Sequence, residues 1–143
     1  MFSKSTEYAL RATIYIAQKG SIDKRIGIEE VSKAIGSPRS FTAKILQTLT
    51  KDNKIISSVS GPHGGFYLTE KNKNLPVRSI LEVMGEDELF DRCVLGLDRC
   101  SEVKPCPMHF KYKIIRRQLS DLFEKETILH LANDINAGDV FLQ

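Results

Sequence analysis

Residues 40–70, "SFTAKILQTLTKDNKIISSVSGPHGGFYLTE", change their hydrophobic period halfway along. In the first part Phe41, Ile45, Leu46 and Leu49 recur at helical spacing, leaving Thr42, Lys44, Gln47 and Thr48 on the outer side. In the second part β-branched and aromatic runs, Ile55 to Val59 and Phe66 to Thr69, flank a tip rich in glycine and proline. That pattern predicts two antiparallel strands in a hairpin. A helix that runs straight into a hairpin decides the fold once its N-terminal neighbours are read.

Toward the N-terminus, "IGIEEVSKAIG" sets Ile28, Val31, Ala34 and Ile35 at helical spacing and stops at Gly36, and "GSPRS" turns the chain into the next helix. Two helices joined by a tight turn and followed by a hairpin predict a winged helix-turn-helix. In that arrangement one helix enters the major groove and the hairpin tip reaches the backbone or minor groove. An earlier helix, "STEYALRATIYIAQKG", carries Tyr8, Ala9, Ala12 and Ile16 on a broad apolar face, with Ser5 or Thr6 as N-cap and Gly20 as its end.

Charge divides the chain in the same sense. Residues 1–80 carry 13 Lys or Arg against 6 Asp or Glu, whereas residues 81–143 carry 8 against 12. A basic N-terminal part reads as a module for a polyanion, here double-stranded DNA, and the acidic remainder as a segment with another task. Lys4, Arg11, Lys33, Lys51 and Lys54 are candidates for phosphate contacts. Arg39, Ser40, Thr42 and Lys44 are candidates for base edges. Ser60 and His63 stand at the wing tip, where Gly61, Gly64 and Gly65 would let the backbone approach the duplex. The chain has 143 residues, 41% hydrophobic and 27% charged, and no apolar run near the roughly 18 residues of a membrane span. These features predict a cytoplasmic protein without a membrane segment. No nucleophile–base constellation or phosphate-binding loop stands out, so no enzymatic activity is expected.

A helix over Val77 to Met84 and the acidic "GEDELFD" lead to "CVLGLDRCSEVKPCPMHF", residues 93–110, which holds all three cysteines and His109. Six residues separate Cys93 from Cys100, five separate Cys100 from Cys106 and two separate Cys106 from His109, so no C-x-x-C is present. Where thiols stay reduced, a clustered odd set reads as metal-binding or redox-active. The residues leave three options open. One is an iron–sulfur cluster on three thiolates and an imidazole or carboxylate. Another is tetrahedral Zn(II) on the cysteines and His109, and the third is a bare thiol switch beside Arg92, Arg99 and Lys104.

Beyond the cysteines, "HFKYKIIRRQLSDLFEKE" aligns Tyr112, Ile115, Leu119, Leu122 and Phe123 on one stripe of a long helix. Packing on the first helix would cover part of this stripe. Pairing with its copy would cover the rest and give a homodimer suited to a palindromic operator. Thr127 offers the N-cap of a last helix, "ILHLANDI". The expected fold is mainly α with a small β-hairpin. It divides into a winged-helix DNA-binding domain over 1–84, an acidic linker and cysteine loop over 85–108, and a dimerisation helix with a short final helix over 109–143.

The order of "EYALRA", "SFTAKILQTL", "SSVSGPHGGFYL" and "C…C…CPMH" resembles the IscR and NsrR type of winged-helix transcription regulators. These are prokaryotic dimers that hold an iron–sulfur cluster between a DNA-binding domain and a long dimerisation helix. The likeness runs from Ser5 to about Ile135. It implies a regulator whose operator affinity is switched by a cluster sensing redox, iron or nitric oxide status. It also implies Cys93, Cys100 and Cys106 as the thiolate ligands. His109, three positions after the last cysteine, would complete a 2Fe-2S site as in IscR, and this is placed ahead of Glu7, the carboxylate that NsrR-like proteins lend across the subunit boundary to a 4Fe-4S cluster. Two departures stand out: the Cys93 to Cys100 gap is one residue longer than in IscR, and Ser60 replaces the wing arginine. A small iron–sulfur redox protein that passes electrons is the competing class, and it would need neither the basic helices nor the wing.

Overall fold

The computed structural model describes residues 1–142. Helix α1 (Lys4–Lys19) starts one turn earlier than the sequence suggests, because Ser3 is its cap. The Ser3 hydroxyl accepts from the Thr6 amide at 3.2 Å, so Ser5 and Thr6 lie inside the helix. Gly20 ends it as expected, with its N–H on the Ile16 carbonyl. Helices α2 (Ile28–Ile35) and α3 (Arg39–Thr50) follow. Between them Gly36 takes the left-handed conformation (φ 65°), and the Ser32 hydroxyl donates to the Ser37 carbonyl at 2.6 Å, which fixes the tight turn.

The hairpin is shorter than its sequence pattern, with β1 (Ser57–Val59) paired antiparallel to β2 (Gly65–Tyr67) in the register Ser57 to Tyr67, Ser58 to Phe66 and Val59 to Gly65. Ile55 and Ile56, expected in the first strand, are core residues instead. The Ile56 amide closes onto the Leu49 carbonyl at 3.1 Å, so the isoleucines plug the end of α3 before the ladder begins. Ile26 adds an isolated antiparallel bridge to β2, exchanging backbone hydrogen bonds with Phe66 at 2.8 and 2.9 Å. At the tip, a Cβ on Gly64 would lie 2.0 Å from the Val59 carbonyl oxygen, so closure of the hairpin itself demands that glycine.

A short helix α4 (Glu70–Lys73), absent from the sequence reading, and α5 (Arg78–Val83) carry the chain to a 3-10 turn at Asp87–Phe90, the second after one at Lys51–Asn53. After the cysteine loop come α6 (His109–Lys125) and α7 (Ile128–Asn136). The core joins Ala9, Ala12 and Ile16 of α1 to Val31, Ile35, Ile45, Leu46, Leu49 and Ile80, and also to Ile128 and Ala132 of α7. Thus α7, rather than α6, lies along α1. Its start is pinned by Val77 N–H on the Glu126 carbonyl (2.8 Å), by Ile128 N–H on the Leu75 carbonyl (3.1 Å) and by the Thr127 capping box.

Helix α6 packs on the 3-10 turn, with Phe123 edge-on to Phe2 and tilted against Phe90, both with centroids at 5.7 Å. The expected stripe therefore splits. Phe123 and Tyr112 face inward, while Ile115 and Leu122 join Phe110 and Ile114 on an exposed apolar face, Ile114 being 62% exposed. No helix among the described residues is long and apolar enough to cross a membrane.

Candidate functional site

Helix α3 presents Arg39, Ser40, Lys44, Gln47 and Thr48 to solvent. Arg39 is held in an exposed ion pair with Glu29 of α2. Thr42 departs from its expected place: it is 0% exposed, and its hydroxyl donates back to the Pro38 carbonyl at 3.0 Å, inside the turn rather than toward any ligand. As placed, it does not reach a base edge.

Ser60 and His63 are exposed at the hairpin tip, and the basic candidates Lys4, Lys33, Lys51 and Lys54 are exposed as well. Arg11 instead spends its guanidinium on the Tyr8 ring, 4.8 Å from the centroid. The wing is fastened from below, where Arg25 donates to the His63 carbonyl through Nη2 at 3.0 Å and Nε at 3.3 Å, and to the Ile22 carbonyl at 2.9 Å. Behind α3, Tyr15 donates to Glu30 at 2.7 Å, and burial together with that carboxylate pushes its phenol up to about 12.

The thiol loop leaves the 3-10 turn and ends at the first residue of α6. Cys93 is buried (5% exposed), and Cys100 and Cys106 are half-buried. The Cys93 thiol sits below its ordinary pKa because the backbone amides of Leu97 and Leu95 point at the sulfur, with the Cys106 thiol adding to them and burial opposing. Cys100 Sγ lies 3.3 Å from His109 Nδ1 and accepts from Arg116 Nη1 at 3.0 Å. Cys100 and His109 are held as a pair, and Cys93 and Cys106 complete a set of four donors in the same loop. Among the described residues no three Cys, His, Asp or Glu side chains close around a single ion position. Glu7 stands in the first turn of α1, where its recorded partner is Lys4 at 3.8 Å.

His109 carries the clearest sign of an unfinished site. It is 5% exposed, and its Nε2 is the one buried side-chain nitrogen or oxygen among the described residues that lacks a hydrogen-bond partner. Buried polar atoms are ordinarily paired, so an imidazole edge left bare inside a three-thiol loop suits a group still to be bound. The donor set fits an iron–sulfur cluster, which takes thiolates and imidazoles two to an iron.

Arg116 was missed by sequence reasoning, although it lies seven residues after His109 and so shares its face two turns along α6. Arg25 was missed too, and with no local motif around it nothing in the sequence marks it.

Comparison with known proteins places this geometry. The profile of the Rrf2 family, described as an iron-dependent transcriptional regulator, matches residues 2–134. The chain belongs to the Rrf2 family. It is 34% identical over 135 residues to a provisionally named HTH-type transcriptional regulator of Aquifex aeolicus (strain VF5), covering 93% of this chain and 92% of that one. It is 24% identical over 127 residues to the HTH-type transcriptional regulator IscR of Yersinia pseudotuberculosis (serotype O:1b, strain IP 31758), covering 89% and 76%.

Among solved structures, CymR, the global cysteine regulator of B. subtilis, superposes with a TM-score of 0.76 over 94% of this chain and 97% of that one at 16% identity. T. potens IscR superposes with 0.72 over 99% and 92% at 14% identity. These likenesses establish the winged-helix fold of Rrf2-type, IscR-like transcription regulators for this Rrf2-family chain.

Proposed function

We propose that this Rrf2-family transcriptional regulator works as a homodimer on a palindromic operator and that its affinity is set by an iron–sulfur cluster held on Cys93, Cys100, Cys106 and His109. The observation that carries the cluster is the buried, half-partnered His109 imidazole 3.3 Å from Cys100 Sγ, in a loop that holds two further free thiols. A histidine in the donor set favours a 2Fe-2S over a 4Fe-4S assignment, since histidine in place of cysteine is a feature of 2Fe-2S irons. When bound, the cluster would supply one-electron redox chemistry and sensitivity to oxidants and nitric oxide.

The chain's own residues do the rest. Lys33, Lys44, Lys51 and Lys54 meet phosphates, and Arg39, Ser40 and Lys44 offer donors to base edges. His63 and Ser60 bring the wing tip to the backbone with Gly64 holding its bend, and the exposed face of α6 joins the two subunits. His109 is both a loop donor and the first residue of α6, so a change in the loop acts directly on the helix that joins the subunits.

The test is anaerobic purification followed by absorbance, iron and sulfide analysis and a gel shift on operator DNA. The wild type is expected to show visible charge-transfer absorbance, with iron and sulfide in equal amounts. Replacing Cys93, Cys100 and Cys106 with Ala is expected to abolish that absorbance and change operator affinity. Unchanged affinity in every redox state would make the loop a structural element. A thiol switch is the second reading, favoured by three free thiols gathered in one loop: it predicts metal-free protein whose DNA affinity responds to peroxide and is restored by a dithiol.

A further inference from the structure

Arg116 has no place in the DNA-reading surface, yet it makes two directed contacts that meet at the thiol loop. From α6 its Nη1 donates to Cys100 Sγ at 3.0 Å and to the backbone carbonyl of Arg92, the residue before Cys93, at 3.1 Å. Through these two bonds α6 reaches the residue before the first cysteine and the sulfur of the second. Among the described residues its guanidinium has no carboxylate partner; the side chain is half-buried, and Glu102 of the loop is taken by Lys113. Both bonds leave from one terminal nitrogen of a permanently charged, planar group, whose two protons serve two acceptors of different kinds.

We infer that Arg116 is the positioning residue of the thiol loop, clasping the start of the loop and the Cys100 sulfur to helix α6 and giving that sulfur a cationic hydrogen bond. The clasp is a property of the protein with or without a cofactor. Its second consequence rests on the cluster reading above: a positive donor on a ligand sulfur stabilises the more negative, reduced cluster, so its removal lowers the reduction potential.

The test uses the full-length chain and the R116M and R116K variants. Hydrogen exchange is measured on cluster-free protein, and reductive titration followed by absorbance is carried out on anaerobically purified protein. Losing charge-assisted bonds of this kind should speed amide exchange across residues 93–106 by roughly tenfold in R116M, with exchange in α1 and α3 unchanged. R116K should recover part of the protection. In cluster-bearing protein R116M should shift the potential to more negative values and R116K by less. Exchange in the loop that is the same in all three proteins would overturn the clasp. Faster exchange with an unmoved potential would overturn the tuning. Wild-type protein without iron or sulfide would sink the cluster reading alone, and the exchange measurement would still decide the role of Arg116.

Discussion

Thr42 and Lys44 occupy neighbouring positions on α3, and only one of them is available to DNA. The hydroxyl of Thr42 turns back four residues to the Pro38 carbonyl, which hides the side chain in the first turn, whereas Lys44 stands clear of the surface. T42V should therefore cost about 1 kcal/mol of stability, read from the denaturant midpoint, and leave operator selectivity as it was. K44A should leave stability within about 0.5 kcal/mol and weaken operator binding, lowering the slope of log affinity against log salt by about 1. At this scale the sequence was an uneven guide. The thiols and His109 were visible because their residue types carry chemistry, and Thr42 was misplaced because helical spacing alone does not say where a hydroxyl folds back. Arg116 was in plain view at two-turn spacing from His109, but a basic residue on an amphipathic helix looks like ordinary solvated surface.

At the scale of elements, helices with clear stops were the legible ones. Gly36 and Gly20 end α2 and α1 where expected, and Thr127 caps α7 as its residue type foretells. The hairpin was legible as a hairpin and not in its length, because a β-branched run serves equally well as strand or as core plug, and the Ile56 amide commits it to the end of α3. Partner choice was not legible at all: α6 and α7 both carry apolar residues, and the Leu75 and Glu126 backbone pairings decide that α7 takes the place beside α1.

The start of α1 offers a pH test. Glu86, in the acidic segment before the loop, accepts from the Ser3 amide at 3.0 Å, and a hydrogen bond with Thr6 is the chief cause holding its carboxyl below the usual range. A depressed folded-state pKa gives stability that is complete above the unfolded carboxylate value and fades as pH falls through the folded one. E86Q should therefore be less stable than wild type at neutral pH in thermal melts. The gap should close as the solution is acidified below the ordinary carboxylate range.

For the molecule as a whole, the exposed row of Phe110, Ile114, Ile115 and Leu122 is the surface that most needs a cover. Four large apolar side chains on one helix are costly to leave bare, and in the proposed dimer a second copy would meet them about a two-fold axis and give each head a half-site. I114E combined with L122E should yield a monomer by light scattering after gel filtration and should lose most operator binding, with the helical circular-dichroism signal kept. A monomeric wild type that still binds the full operator tightly would contradict this arrangement.

The grip of Arg25 on the His63 carbonyl and the laddering of Ile26 to Phe66 bind the hairpin to the strand end that leads into α2. Wing and the entry to α2 are thereby tied together by both side chain and backbone. In the proposed dimer, news from the sulfurs would arrive as a new interval between two such heads, and its natural unit is the phase of the double helix, counted in base pairs from one half-site to the next.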